Sequence, residues 1–351
     1  MLGIVLPLLI TLSSLLFGND EAEIVFAGDA MMHQGQLDDA RRSDGSYDYS
    51  EYFGALTPYV RSADYAVVNL ETPVAGAPYS GYPCFNSPSS YIDALADAGF
   101  DMFLTANNHT LDRRDRGLRA TIDSLAVRGL DHIGTYKNPA ERSGRLPFVK
   151  DINGIRVGFL NYTYGTNGIK VQGDVVVDYI DRKTISRDVD ALRSAKVDII
   201  IACVHWGIEY KLINNQEQQS LAQYLQSLGV EIIVGGHPHV IQPMHLTTGE
   251  DGRKRLLVYS LGNFISNMKT CDTRGGAVLK LRLTRRDDGA VDITDASYRL
   301  VFTEPADGNH GFRLRWATRS ADSRASQFVR SARNIFDKYN TGIKEDVPVV
   351  L

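Results

Sequence analysis

Residues 230–242 read VEIIVGGHPHVIQ. An apolar-leaning run from Val230 to Val234 gives way to Gly235 and Gly236, and then His237 and His239 flank Pro238. A short run rich in β-branched residues and bounded by glycine reads as a strand buried on both faces. A chain that leaves such a strand and at once presents imidazoles is placing polar chemistry at the strand's carboxyl end. The two glycines are expected to turn the backbone sharply off the strand. Pro238 is expected to stiffen the link, so that both rings are aimed in advance.

The same construction recurs along the chain. Strand-like runs occur at 23–28 (EIVFAG), 65–70 (YAVVNL), 101–106 (DMFLTA), 156–163 (RVGFLNYT), 197–204 (VDIIIACV), 230–236 and 255–265 (RLLVYSLGNFI). Helical patterns at 89–99, 118–129 and 215–229 lie between them, and each closes on glycine. Strand–helix alternation implies an α/β fold with parallel pairing. Residues 275–303 alternate apolar and polar around the turn RDDGA, as an antiparallel hairpin does. Residues 323–339 form a final amphipathic helix. With no repeat and no long linker, one domain over 22–303 is expected, with an extension at 304–351 whose helix packs on the same domain.

Five of these strands each deliver a carboxylate, an amide or an imidazole at the carboxyl end. Asp29 ends the first, with His33 four positions on, and Glu71 follows the second. Asn107, Asn108 and His109 follow the third, His205 follows VDIIIACV, and His237 and His239 follow VEIIVGG. In an open α/β sheet, ligands bind outside the carboxyl ends of the strands, where residues distant in sequence converge. Carboxylates, an amide and imidazoles make a mixed N/O set suited to divalent Mn, Zn or Fe, with no thiolate required. The set holds more donors than one four-coordinate ion uses, so two ions are expected. Singly, each residue has a plainer reading as a helix cap or loop residue; their conjunction at successive strand ends carries the weight.

The 351 residues carry a net charge of −4 and are 43% hydrophobic, enough for a large core and too acidic for non-specific nucleic-acid binding. Cys203 sits in an apolar run as a small core residue, and Cys84 and Cys271 are the pair that could form a disulfide. Met1 to Phe17 is almost unbroken apolar sequence, with no charge before Asp20 and no Lys or Arg before Arg41. Residues 1–20 are therefore read as a secretory signal or short anchor, although the basic start and a small-residue cleavage site are missing. Export to the periplasm or cell envelope is the expectation. Trp206, Tyr210, Tyr162 and Tyr164 lie near strand ends and either line a substrate cleft or serve as core-rim residues. Residues 79–88, YSGYPCFNSP, read as an ordered loop over the sheet edge, and 112–117, DRRDRG, as a solvated helix start.

The ordered motifs GDAMMH (28–33), NLETP (69–73), NNHTLDRRDRGL (107–118), HWGIEY (205–210), GGHPHVIQP (235–243) and YSLGNFI (259–265) resemble the CapA family. That family is linked to poly-gamma-glutamate capsule biosynthesis and is similar to the calcineurin-like metallophosphoesterases. The resemblance covers residues 23 to 303. It implies a four-layer α/β/β/α sandwich with a β-rich C-terminal extension. It implies metal contacts from Asp29, Glu71, Asn108, His205, His237 and His239. His109 would protonate a leaving oxygen, and Asp112 would orient His109 or cap the next helix. Two departures stand out: Met31 occupies the histidine position of an Asp-x-His motif, with His33 as the nearest substitute, and Glu71 stands where a bridging Asp is usual. His33, Trp206 and Tyr210 are candidate substrate contacts. The implied chemistry is metal-assisted hydrolysis or transfer at a phosphoester or gamma-glutamyl bond of an anionic substrate, with membrane partners from a capsule-synthesis assembly. The rival reading is a non-catalytic assembly or export component that binds an anionic polymer. Fractionation of cells producing the native chain should place it with the membrane or periplasmic material; recovery in the cytosol alone would contradict the reading of residues 1–20.

Overall fold

The computed structural model describes residues 21–307, 310–318 and 323–347, so the expected leader lies outside the described residues. Two large sheets face each other. The nine-stranded sheet runs in the order Arg313–Trp316, Val291–Glu304, Gly275–Arg285, Glu21–Ala30, Tyr65–Leu70, Met102–Leu104, Asp131–Ile133. Asn263–Ile265 adds to Glu21–Ala30, and Lys344–Glu345 to Val291–Glu304. The six-stranded sheet runs Met244–Thr248, Lys254–Val258, Ile232–Gly236, Ile199–His205, Ile155–Thr163, Phe148–Ile152. Each sheet contains a parallel block, Glu21–Ala30 through Asp131–Ile133 in one and Ile155–Thr163 through Lys254–Val258 in the other.

Alternate residues on the parallel strands serve different layers, as a period of two requires. Ile24, Phe26, Tyr65 and Val67 face Val157, Phe159, Ile199, Ile201 and Cys203 across the space between the sheets. Val25, Ala27, Ala66 and Val68 pack instead under Ser90–Asp97 and neighbouring helical turns, through Tyr91, Ile92 and Leu95. Leu160, Ile200, Ala202 and Val204 pack under Arg182–Ser194 and Gln216–Ser227. The result is the expected α/β/β/α sandwich. The antiparallel strands Gly275–Arg285 and Val291–Glu304 form the expected hairpin. The helix Ser323–Tyr339 covers them, with Phe328 against Phe302 and Phe336 against Tyr298. The extension thus shares the inter-sheet core.

Several expectations need correction. The run 255–265 is not one strand. Lys254–Val258 belongs to the six-stranded sheet, and the chain then crosses at Gly262 (φ 70°) so that Asn263–Ile265 joins the other. Gly235 and Gly236 do not make the turn but remain within the strand Ile232–Gly236. Their value is close approach: a Cβ at Gly235 would lie 2.1 Å from the Tyr259 carbonyl oxygen, and one at Gly236 would lie 2.8 Å from Asp29 Oδ1. Cys84 and Cys271 are unbridged, and the Cys271 thiol instead donates to the Arg324 carbonyl at 3.3 Å. Among the described residues no helix is long and apolar enough to cross a membrane.

Phe328 is 1% exposed in the core that the extension shares with both sheets. Truncation of such a ring costs about 3–5 kcal/mol. Phe328→Ala should lower the urea-unfolding free energy by that amount, whereas a change below about 1 kcal/mol would show the extension to be peripheral.

Candidate metal centre

The strand parity that builds the core also builds the site. Tyr65 and Val67 face the inter-sheet space, and the same face continues through Asn69 to Glu71. Ile199, Ile201 and Cys203 continue to His205, and Val157 and Phe159 continue to Asn161. At the carboxyl ends of the strands the apolar filling therefore gives way to polar groups that point between the sheets.

Asp29 and Glu71 are both 0% exposed. Asp29 Oδ1 accepts from Asn69 Nδ2 at 2.8 Å, and its Oδ2 accepts from the His237 backbone N–H at 3.2 Å. Burial opposes ionisation of Asp29, but hydrogen bonding from His239, the adjacent imidazole charges and the Asn69 amide hold its carboxyl below the usual range. His205 is itself driven neutral by burial, followed by His237. Glu71 is the opposite case. Burial, followed by the Asp29 charge, pushes its carboxyl well above the usual range. Glu71 Oε1 has no hydrogen-bond partner and lies 3.7 Å from both His205 Nε2 and His239 Nε2.

The HPH segment answers the question its sequence poses. His237 and His239 themselves take left-handed backbone conformations, φ 98° and 58°. Non-glycine residues there cost roughly 1–3 kcal/mol each, a strain that collects where function demands it. His237 is fixed by its N–H to Asp29, while its ring Nδ1 is buried without a partner. Burial, then His239, lowers its pKa to about 3, leaving a neutral imidazole. His239 Nδ1 lies 3.0 Å from Asn263 Oδ1 and 3.3 Å from Asp29 Oδ2. His205 Nε2 lies 2.8 Å from Asn108 Oδ1.

Ligand atoms of Asp29, Glu71 and His205 lie within 4.8 Å of one another, as do those of Glu209, His237 and His239. Paired buried carboxylates, neutral imidazoles and orphaned acceptors at Glu71 and His237 fit divalent cations. Beside them, His109 Nδ1 and Asp112 Oδ2 are 2.8 Å apart, both residues are buried, and Asp112 also accepts from the Phe85 N–H. Of the two positions expected for Asp112, the structure places its carboxylate on His109 Nδ1. The following helix, Arg114–Ala126, begins with Arg113 at its N-cap. Phe85, from the 79–88 loop, packs edge-on to His109 at 4.5 Å.

The remaining expectations divide. Tyr164 lies over His237 at 4.5 Å and Tyr210 lies 6.2 Å from His239, and both are about half exposed. Trp206 is not a cleft residue: it is buried, and its Nε1 donates to the Tyr259 carbonyl at 2.8 Å. Tyr162 is likewise buried, with its hydroxyl on Asp188. Both have the parity of the helix-facing side, which is the physical reason they miss the site. His33 stands at the start of Gln34–Ala40, with its Nδ1 accepting from the Asn267 N–H at 3.3 Å, and joins neither ligand cluster among the described residues. Met31, 1% exposed, is core. Sequence reasoning missed Asn69, Asn263 and Glu209. Strand parity would have found Asn69; Glu209 lay within the HWGIEY motif without being assigned a role.

Because Glu71 holds a proton over a widened pH range, cation binding should release one. Affinity for Mn²⁺ should fall as pH falls through the raised Glu71 pKa, with the neutral His205 and His237 imidazoles contributing little to the release. Calorimetric titration in buffers of different ionisation enthalpy checks this; a proton-neutral binding event would contradict it.

Residues 23–268 match the family of bacterial capsule synthesis proteins denoted PGA_cap. The chain is 27% identical over 289 residues to the PGA biosynthesis protein CapA of Bacillus subtilis, covering 79% of this chain and 72% of that one. It is 26% identical over 288 residues to the capsule biosynthesis protein CapA of Bacillus anthracis, covering 77% and 66%. Among solved structures, the NAD nucleotidase of Haemophilus influenzae aligns with a TM-score of 0.49 at 13% identity, covering 93% of this chain and 64% of that chain, a likeness too remote to argue from. With the match spanning most of its length, the chain belongs to the bacterial capsule synthesis protein family.

Proposed function

We propose that this chain is a metal-dependent hydrolase or transferase of the cell envelope, acting at a phosphoester or gamma-glutamyl bond of an anionic polymer or its precursor. The observation that carries the reading is the buried donor cluster set beside the His109–Asp112 pair. The relatives' names, PGA and capsule biosynthesis, support the polymer class. An exported or anchored location accords with the apolar residues 1–17.

Asp29, Glu71, Asn108, His205, His237 and His239 would hold two divalent ions, Mn, Zn or Fe. Such ions supply Lewis-acid polarisation and a lowered water pKa. The carboxylates of Asp29 and Glu71 leave the loaded centre net positive, which favours an anionic substrate. In hydrolysis, water oxygen bonds to phosphorus or carbonyl carbon, and the bond to the leaving oxygen or nitrogen breaks. The leaving atom then takes a proton. Asp112 engages His109 Nδ1, so Nε2 is the ring atom available to deliver it. Tyr164 and Tyr210 offer aromatic faces to the substrate above the histidines.

One observation favours the rival reading of a non-catalytic assembly or export component. Met31 supplies no nitrogen where the resembled motif carries a histidine, so the donor set departs from that of the phosphoesterases. Turnover decides between them. The metal-loaded chain should cleave a phosphodiester or a gamma-glutamyl oligomer, and His109→Ala should lower kcat by about 10²–10⁴-fold while retaining its metal. Metal-loaded protein that turns over neither substrate would support the assembly reading, and an unchanged kcat in His109→Ala would remove His109 from the mechanism.

A further inference from the structure

A carboxamide is an ambiguous metal ligand. Turning the Asn108 side chain end over end exchanges Oδ1 for Nδ2, and only the oxygen has lone pairs to offer a cation. The torsion concerned is broad and roughly two-fold, so the backbone alone does not choose between the two orientations. The flanking side chains are fixed by residues at the strand ends themselves. Asn107 Nδ2 donates to the Leu70 carbonyl at 2.9 Å, and His109 Nδ1 meets Asp112. Asn108 is fixed from elsewhere. Its Oδ1 lies 2.8 Å from His205 Nε2, and its Nδ2 donates to Asn167 Oδ1 at 3.2 Å. Asn108 is buried, whereas Asn167 is exposed.

Residues 166–169, TNGI, form a tight turn. The Ile169 N–H donates to the Thr166 carbonyl at 2.8 Å, and the central Asn167 and Gly168 have φ 50° and 73°. Positive φ at both central positions is the type I′ pattern, which favours Asn-Gly and accepts Gly-Gly. The segment is fastened on both sides of the turn. Before it, the Tyr164 N–H donates to the His205 carbonyl at 3.0 Å. After it, Ile169 and Val171 pack on Leu111, Leu118 and Ile122, and the Gln172 N–H donates to Asp115 at 3.2 Å. The Asn167 carboxamide is thereby held beside Asn108 by a segment that supplies none of the ligands named above.

We infer that Asn167 is a positioning residue for the metal centre: its side-chain oxygen takes the Asn108 Nδ2–H and so keeps Asn108 Oδ1 turned toward His205 Nε2 and, beyond it, Glu71. This rests on the metal-centre reading above and adds to it a residue that touches no ion. The turn explains the backbone at 167 but not the side chain, since glycine serves a type I′ turn as well. Loss of an outer contact that orients a metal ligand typically weakens metal binding by about 10–100-fold.

The test is calorimetric titration of the full metal-free chain with Mn²⁺, beside thermal unfolding of the same metal-free samples. Asn167→Gly keeps the turn and deletes the acceptor. It should weaken Mn²⁺ binding by about tenfold or more and leave the thermal midpoint unchanged. Asn167→Asp keeps both the turn and an acceptor oxygen, and should bind Mn²⁺ at least as tightly as wild type. Wild-type affinity in Asn167→Gly would overturn the inference and leave the metal centre standing. Equal losses in the two variants, or a lowered midpoint in Asn167→Gly, would trace the effect to the turn rather than the acceptor and would likewise overturn it. No Mn²⁺ binding by wild type would overturn the metal-centre reading and this inference with it.

Discussion

Two carboxylates, Asp29 and Glu71, sit fully buried at the carboxyl ends of neighbouring parallel strands, and the local architecture is arranged around that fact. An isolated ionised carboxylate loses several kcal/mol of hydration on burial, and a second beside it adds repulsion. The protein resolves half of the problem with its own donors. Asn69 Nδ2 and the His237 N–H converge on Asp29, and the glycine at 236 lets the His237 backbone come close enough to do so. Glu71 is left unresolved, with an orphaned oxygen facing two imidazole nitrogens. A divalent cation is the simplest group that satisfies it.

The sandwich explains why these residues meet. Inward-facing side chains of both sheets are apolar along most of each strand and polar at its carboxyl end, so the inter-sheet core opens into a polar end. Asn69 and Asn161 line the transition, and the Asn161 amide ties the Ala106 N–H of one sheet's strand end to the Cys203 carbonyl of the other sheet. The crossover at 259–263 adds a second connection and brings Asn263 against His239. Strain at His237 and His239 is sustained because the Asp29 acceptor, the Tyr210–Pro238 hydrogen bond and the Asn263 amide each fix a different part of the segment.

Much of this was legible from sequence. Apolar runs ending in Asp, Glu, Asn–His or His mark both the strands and the end at which they converge, and the hairpin at 275–303 follows from its alternation. Less legible was anything that needs a third dimension. The run 255–265 is apolar enough for a single strand, and only Gly262 hints that it changes sheet. The glycines at 235 and 236 suggest flexibility in sequence, but the constraint is space, because their neighbours are a carbonyl and a carboxylate from distant segments. Trp206 and Tyr162 are close in sequence to site residues, but their parity sends them to the opposite face. Glu209 reaches the histidines only because of a backbone hydrogen bond between two loops, which no spacing rule encodes.

The central claim is that a cation is held between the two buried carboxylates. It is tested most directly by anomalous diffraction from crystals of the chain grown with Mn²⁺. The account predicts a strong anomalous peak bounded by the side chains of Asp29, Glu71 and His205. A map showing Glu71 hydrogen-bonded to Asp29 through a shared proton or a water, with no anomalous peak beside them, would contradict it.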